Sequence, residues 1–96
     1  MTFFHGTSED NWAKIQSEGV LWGRRYVTDE YNNILKEVSR CTYLTPDIGE
    51  AKQYGEVILQ VEYEPEKSKH NNYYPGCWQM RVYEPIPIEY IKRIKL

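Results

Sequence analysis

Cysteine is scarce: Cys41 and Cys77 are the only two in 96 residues. Two thiols cannot build a disulfide framework, and these two stand in no CxxC pair. One bridge between them is compatible with the sequence, although free thiols are the expectation for a chain in a reducing compartment. Together with His5 and His70 they show no metal-site spacing, so no metal is expected. Long apolar runs are also missing, and none nears the roughly 20 residues that a membrane span needs. The opening Met1-Thr2-Phe3-Phe4-His5-Gly6 has neither a basic n-region nor a long apolar h-region. It does not read as a signal peptide, and a cytoplasmic location is the expectation. Neither sign of charge dominates. Twelve Lys and Arg against fourteen Asp and Glu leave a formal net charge of −2, which exerts no long-range pull towards nucleic acid. There are no repeats and no low-complexity tracts.

Aromatic rings are abundant instead. Nine Tyr, three Trp and two Phe make up 15% of the chain. A chain this short buries only roughly 60–65% of its unfolded surface, so rings with large buried areas are one way to build a sufficient core. A ring-lined pocket is the other. The sequence reads as a single domain over residues 1–96.

Along the chain, Phe3-Phe4-His5 opens as a short strand. Ser8 is a good N-cap, with Glu9 and Asp10 in the first turn, and Gly19 is a natural stop, so a helix is expected over about 9–18 with Trp12 and Ile15 inward. Val20-Leu21-Trp22 continues as an extended segment. Tyr31, Ile34, Leu35 and Val38 fall at i, i+3, i+4 and i+7, which predicts an amphipathic helix between Thr28 and Arg40. Arg40 to Leu44 reads as a buried strand. Thr45-Pro46-Asp47 predicts a helix start with Thr45 as N-cap, and Ile48, Ala51 and Tyr54 recur on one face before Gly55 ends it.

Glu56 to Tyr63 alternates, with Val57, Leu59, Val61 and Tyr63 on the buried face. Pro65 to Gly76 is the longest loop and the expected mobile element. Trp78, Met80 and Val82 then alternate with Gln79, Arg81 and Tyr83. One helical turn is expected at Glu89-Tyr90-Ile91, and Lys92-Arg93-Ile94 ends the chain as an edge strand or tail. Strands and short helices without regular βαβ spacing predict an α+β fold.

Three short strings carry candidate chemistry. In His5-Gly6-Thr7, a His ends a strand, a Gly admits close approach to the backbone, and a hydroxyl follows. Such a His can donate a hydrogen bond to a ribose hydroxyl, and the Gly6 backbone can offer its N–H and C=O to a carboxamide. The plainer alternative is a turn whose Gly supplies a positive φ. In Tyr43-Leu44-Thr45, the ring can lie against a flat heterocycle, or it can simply be core. Gln79 and Arg81 share the polar face of the last long strand. An amide there can hydrogen-bond a ribose but carries no charge.

The order of these strings, with helices ending at Gly19 and Tyr54-Gly55 and a final Ile86-Pro87-Ile88-Glu89-Tyr90-Ile91, resembles the ADP-ribosyltransferase superfamily. The branch it resembles is the His–Tyr–Glu one of diphtheria-toxin-like and poly(ADP-ribose)-polymerase-like enzymes. The resemblance spans nearly the whole chain through sparse motifs. Phe4-His5-Gly6-Thr7, Gly19, Tyr73-Tyr74-Pro75-Gly76-Cys77-Trp78 and Ile86-Pro87 are similar to the RNA 2′-phosphotransferases as well.

The resemblance implies a small split-sheet core with short flanking helices, and NAD⁺ as co-substrate. His5 would bond a ribose of NAD⁺, the Gly6 backbone would hold the nicotinamide carboxamide, Tyr43 would stack on the nicotinamide ring, and Thr7 and Thr45 would complete the pocket. Residues 64–77 would meet the acceptor, with Tyr73 and Tyr74 as contact rings, and Arg24 or Arg25 would meet the pyrophosphate. The family places a Glu where this chain has Gln79. A neutral amide keeps a hydrogen bond to the ribose and loses the charge that stabilises an oxocarbenium-like transition state. That loss costs roughly 10²–10³ in rate. Glu84 is a poor substitute by register.

The leading expectation is an NAD⁺-dependent ADP-ribosyltransferase acting on a macromolecular acceptor, protein before nucleic acid. A domain this small suits a phage or bacterial effector working in a host cytoplasm. A catalytically inactive domain that binds NAD⁺, ADP-ribose or a protein partner stands beside it, then a 2′-phosphotransferase-like enzyme, then an unrelated binding module. On this reading Trp12, Tyr54, Tyr63 and Trp78 are core, and Tyr43 is the ring that meets a ligand.

Overall fold

The computed structural model describes residues 1–23, 25–31, 33–39 and 41–95. The chain forms an α+β fold of short antiparallel strands with two short helices. Strand β1 (Thr2–Thr7) leads into helix α1 (Glu9–Glu18), and strands β2 (Val20–Leu21), β3 (Arg25–Thr28), β4 (Ile34–Ser39) and β5 (Thr42–Leu44) follow. Helix α2 (Ile48–Ala51) continues as a 3₁₀ turn over Lys52–Tyr54. Strand β6 (Val57–Glu62), a 3₁₀ turn at Pro65–Lys67, β7 (Met80–Val82), β8 (Ile86–Pro87), a 3₁₀ turn at Ile88–Tyr90 and β9 (Ile91–Ile94) complete the order.

Helix α1 forms where its local signals place it. The Ser8 side chain accepts the Asn11 amide at 3.2 Å, and Gly19 closes the helix in the left-handed conformation while its N–H reaches Ile15 O at 2.8 Å. Helix α2 starts two residues later than expected. Its N-cap is Asp47, whose carboxylate accepts the Gly49 amide at 2.8 Å. Thr45 is drawn away because its backbone pairs with Phe4 of β1 while its hydroxyl accepts the Asp47 amide and donates to Trp78 O.

Strand β6 is the centre of a three-stranded sheet, with β1 on one side and β9 on the other. Thr2 faces Glu62 at one end of the β1–β6 ladder, and Gly6 faces Ile58 near the other. The β5–β7 pair joins this sheet at one point, where Phe4 N–H donates to Thr45 O at 2.7 Å and Thr45 N–H donates to Phe4 O at 3.0 Å. Strands β2 and β8 pair at the far side, extended by the bond from Ile88 N–H to Gly19 O.

The helix expected between Thr28 and Arg40 is instead the β3–β4 hairpin. Asp29 explains the change. Its carboxylate accepts the amides of Tyr31 and Asn33 at 2.9 Å each and the Asn33 side-chain amide at 3.1 Å. An Asx turn of this kind consumes the donors that a first helical turn would use. The Asn33 amides, main chain first, hold the Asp29 carboxyl below its usual range. Arg24, Asn32 and Arg40 lie outside the described residues, which leaves the pyrophosphate assignment of Arg24 without a structural counterpart; Arg25 begins β3.

The core is aliphatic. Leu44, Val57, Leu59, Val61, Met80, Val82 and Ile86 are buried, Phe3 is the one ring fully enclosed among the described residues, and Trp12, Tyr63 and Tyr73 pack against this cluster from its margin. Tyr54 and Trp78, both expected inside, are 57% and 58% exposed. Trp78 precedes β7, which begins only at Met80, so the alternation that would have turned it inward has not started. Tyr54 sits where α2 has given way to the 3₁₀ turn: its Cβ lies over Gly6, and its ring runs on into solvent. Ile58, which alternation turns away from the face of Val57, Leu59 and Val61, is buried as well.

The segment from Pro65 to Gly76, expected as a free loop, is tied down instead. Residues 70–72 run along the open side of β7, with Asn72 N–H to Arg81 O at 3.2 Å and Tyr83 N–H to His70 O at 2.7 Å, and the Asn71 amide group donates to Pro65 O and Ser68 O. Cys41 and Cys77 are both buried free thiols. No helix among the described residues is long and apolar enough to cross a membrane.

Candidate functional site

The Phe4–Thr45 bridge brings the end of β5 against the second half of β1, and a small cleft of about 70 Å³ opens where the two segments diverge. Its walls are Phe4, His5 and Gly6 from β1, Tyr43, Leu44 and Thr45 from β5, Ala51 and Tyr54 from the helical segment, and Gln79. Five residues singled out from separate strings, namely His5, Gly6, Tyr43, Thr45 and Gln79, therefore share one cleft. Thr7 is not among its walls. It is buried at the end of β1, where Gly55 crosses its carbonyl.

His5 is anchored to the opposite wall. Its Nδ1 lies 2.8 Å from the Tyr43 carbonyl oxygen. A carbonyl only accepts, so the proton sits on Nδ1. Burial pushes the imidazole pKa below its ordinary value, and the bond to Tyr43 only partly offsets that effect. The neutral ring therefore presents Nε2 as an acceptor. In this tautomer Nε2 can accept a hydrogen bond from a hydroxyl, whereas the donation to a ribose expected from the sequence would need a second proton on the ring.

Gly6 is required by packing. A Cβ at this position would stand 1.8 Å from the Ala51 carbonyl oxygen. Gly6 is not among the glycines with positive φ, so neither a turn nor a ligand is needed to explain it. Its backbone still matters to the cleft. Phe4 directs its N–H and C=O towards Thr45, and main-chain groups two residues apart on a strand point to the same edge. The N–H and C=O of Gly6 thus face the β5 side of β1, at the level of Tyr43 in the antiparallel register that the Phe4–Thr45 bridge sets.

Tyr43 is 39% exposed, with the Arg81 guanidinium 5.8 Å from its ring centroid across the β5–β7 ladder. The Thr45 hydroxyl donates to Trp78 O at 2.7 Å and so fixes the backbone just ahead of Gln79. The Gln79 side-chain amide donates to the Tyr54 hydroxyl at 3.3 Å across the cleft. Tyr54 is the wall residue that periodicity misassigned to the core; its position beside a helix-ending Gly55 was the available signal. No wall residue is a carboxylate, and Glu84 is engaged elsewhere, by the Tyr63 and Ser68 hydroxyls at 2.7 and 3.0 Å. The cleft can therefore accept and donate hydrogen bonds and offer a ring face, but it supplies no fixed negative charge.

The two rings expected to touch an acceptor part company. Tyr73 packs edge-on against Phe3, with centroids 6.5 Å apart and planes at 81°, and belongs to the margin of the core. Tyr74 is 56% exposed. Among the described residues no group of three or more His, Cys, Asp or Glu is arranged to hold a metal ion. Comparison with protein-family models, curated proteins and solved structures gives no match to this chain.

Proposed function

We propose that the cleft between β1 and β5 binds the nicotinamide end of NAD⁺ and that the chain is an ADP-ribosyltransferase of minimal size, with an ADP-ribosyltransferase-like sheet, acting on a macromolecular acceptor. The observation that carries the reading is the edge of β1: the Gly6 N–H and C=O stand side by side in the pattern that a carboxamide pairs with, with the Tyr43 ring, the His5 acceptor and the Gln79 amide around them. In the reaction, the bond between nicotinamide and ribose C1′ breaks with the electron pair leaving on nicotinamide. An acceptor nucleophile bonds C1′ and loses its proton to solvent. The chain's own contribution is to hold the bent dinucleotide and hydrogen-bond its ribose, which lowers the entropic cost of reaching the transition state.

Gln79 favours a second reading. An amide where the resemblance calls for an acid suits a domain that binds NAD⁺ or ADP-ribose, or a protein partner, without turning anything over. Gln79→Glu separates the two. Nicotinamide release from NAD⁺ is expected to rise roughly 10²-fold in this variant if Gln79 stands beside the ribose. Binding of NAD⁺ with no release by either protein would identify the non-catalytic domain. NAD⁺ binding by neither protein would remove the transferase and the NAD⁺-binding form of the second reading.

A further inference from the structure

A second concavity lies at the opposite end of the β1–β6 ladder. His5 and Gly6 of the cleft face Leu59 and Ile58, whereas this groove begins at Glu62, which faces Thr2. Glu62 lies four residue steps along the strand from Ile58, roughly 13 Å at about 3.3 Å per step. The groove has a volume of about 400 Å³ and is walled by Glu62, Tyr63 and Glu64 on one side and by Glu84 to Pro87 with Tyr90 on the other. It shares no wall with the cleft.

Its floor and its rim differ in chemistry. Ile86 is buried, Tyr63 is half-buried, and Pro85, Pro87 and Tyr90 leave apolar surface open to solvent, with Tyr90 51% exposed. Three carboxylates stand above this surface, and no Lys or Arg is among the walls. Glu64 is taken up by the Met1 ammonium at 2.6 Å, and Lys67 acts on it electrostatically. Glu62 accepts the Thr2 hydroxyl, Glu84 accepts the neutral hydroxyls of Tyr63 and Ser68, and among the described residues neither is paired with a cation. Five of the eight wall residues are exposed. An open trough of this kind fits a segment laid along it better than a small molecule, which a ligand pocket normally encloses over 70–90% of its surface.

We infer that this groove is a docking site for an extended, arginine-bearing peptide segment of a protein partner. A guanidinium matches Glu62 or Glu84 in charge and planar geometry, its aliphatic stem lies on the proline and Ile86 surface, and the Tyr90 ring offers its face to the cation. This inference does not depend on what the cleft binds.

The test is fluorescence anisotropy at 150 mM salt with a fluorescein-labelled peptide Gly-Arg-Ala-Arg-Gly-Arg-Ala-Gly and its counterpart carrying Glu for Arg. Saturable binding of the Arg peptide alone is expected. Tyr90→Ala and Glu62→Gln are each expected to weaken it at least fivefold, Tyr90→Phe to retain it, and Gln79→Glu in the cleft to leave it unchanged. Both Glu62 and Tyr90 are exposed, and if Tyr90→Ala fails to fold, Glu62→Gln decides. Three results would overturn the inference: no saturable binding, binding that neither groove variant weakens, or displacement of the peptide by spermidine at equal charge concentration, which would make the occupant a polyamine.

Discussion

His5 carries more consequence than any other single residue, because one bond sets its tautomer and its surroundings set its charge. The imidazole prefers to be neutral in the folded chain, since burial opposes the cation. In the unfolded chain it takes up a proton near its ordinary value of 6.5. The unfolded state therefore binds more protons than the folded one just below that pH, and stability is lost as the pH falls from about 6.5 towards the lower folded value. Above 6.5 the contribution is complete. Urea unfolding from pH 7.5 down to 5.5 is expected to show this decline, and His5→Asn, which can still donate to the Tyr43 carbonyl, is expected to flatten it. Equal slopes in the two proteins would mean that another group titrates. Gly6 is the complementary case, a residue defined by what it lacks. The helical segment sits so close to β1 that a single methyl group would displace the Ala51 carbonyl, and the cleft wall with it.

Elements differ in how local their causes are. Helix α1 is written into its own ends, with Ser8, Glu9 and Asp10 before it and Gly19 after, and β6 is written into its alternation. Both are legible without knowing anything else about the chain. The β3–β4 hairpin was not, because Ile34, Leu35 and Val38 satisfy helical spacing while the deciding interactions run from the Asp29 side chain to the backbone. Asp29→Ala removes that acceptor. The expected result is faster amide exchange across Ile34–Ser39, with exchange in β6 unchanged; equal protection in the hairpin would show that strand pairing, not Asp29, holds it. The cleft residues were legible as separate strings, but His5 and Gly6 lie within β1, which runs on to Thr7, rather than at its end, and it is the β1–β5 bridge that brings the strings together. Tyr54 and Trp78 were not, because their exposure depends on where α2 and β7 happen to stop. The groove was invisible for a related reason: it arises from residues 62–64 meeting residues 84–90, and no local pattern announces that meeting.

At the scale of the molecule, half of the fourteen rings lie on the surface. Tyr31, Tyr43, Tyr54, Tyr74, Trp78, Tyr83 and Tyr90 are all exposed, over a core built of Leu, Ile, Val and Met. The accessible surface is 6535 Å², above the roughly 5,800 Å² that a chain of this mass exposes on average. Such a chain has little stability to spare, so occupancy of the cleft should register globally. At NAD⁺ tenfold above its Kd, ligand linkage adds about 1.4 kcal/mol. For a domain near 100 residues that is a rise in Tm of roughly 6–11 °C. The rise is expected in the wild type and is expected to vanish in Tyr43→Ala and His5→Ala, each melted against its own ligand-free baseline. A full rise in both variants would place NAD⁺ somewhere other than between β1 and β5. No rise at millimolar NAD⁺ in the wild type would leave the cleft without its proposed ligand, while the peptide groove at the other end of the sheet would stand or fall on its own test.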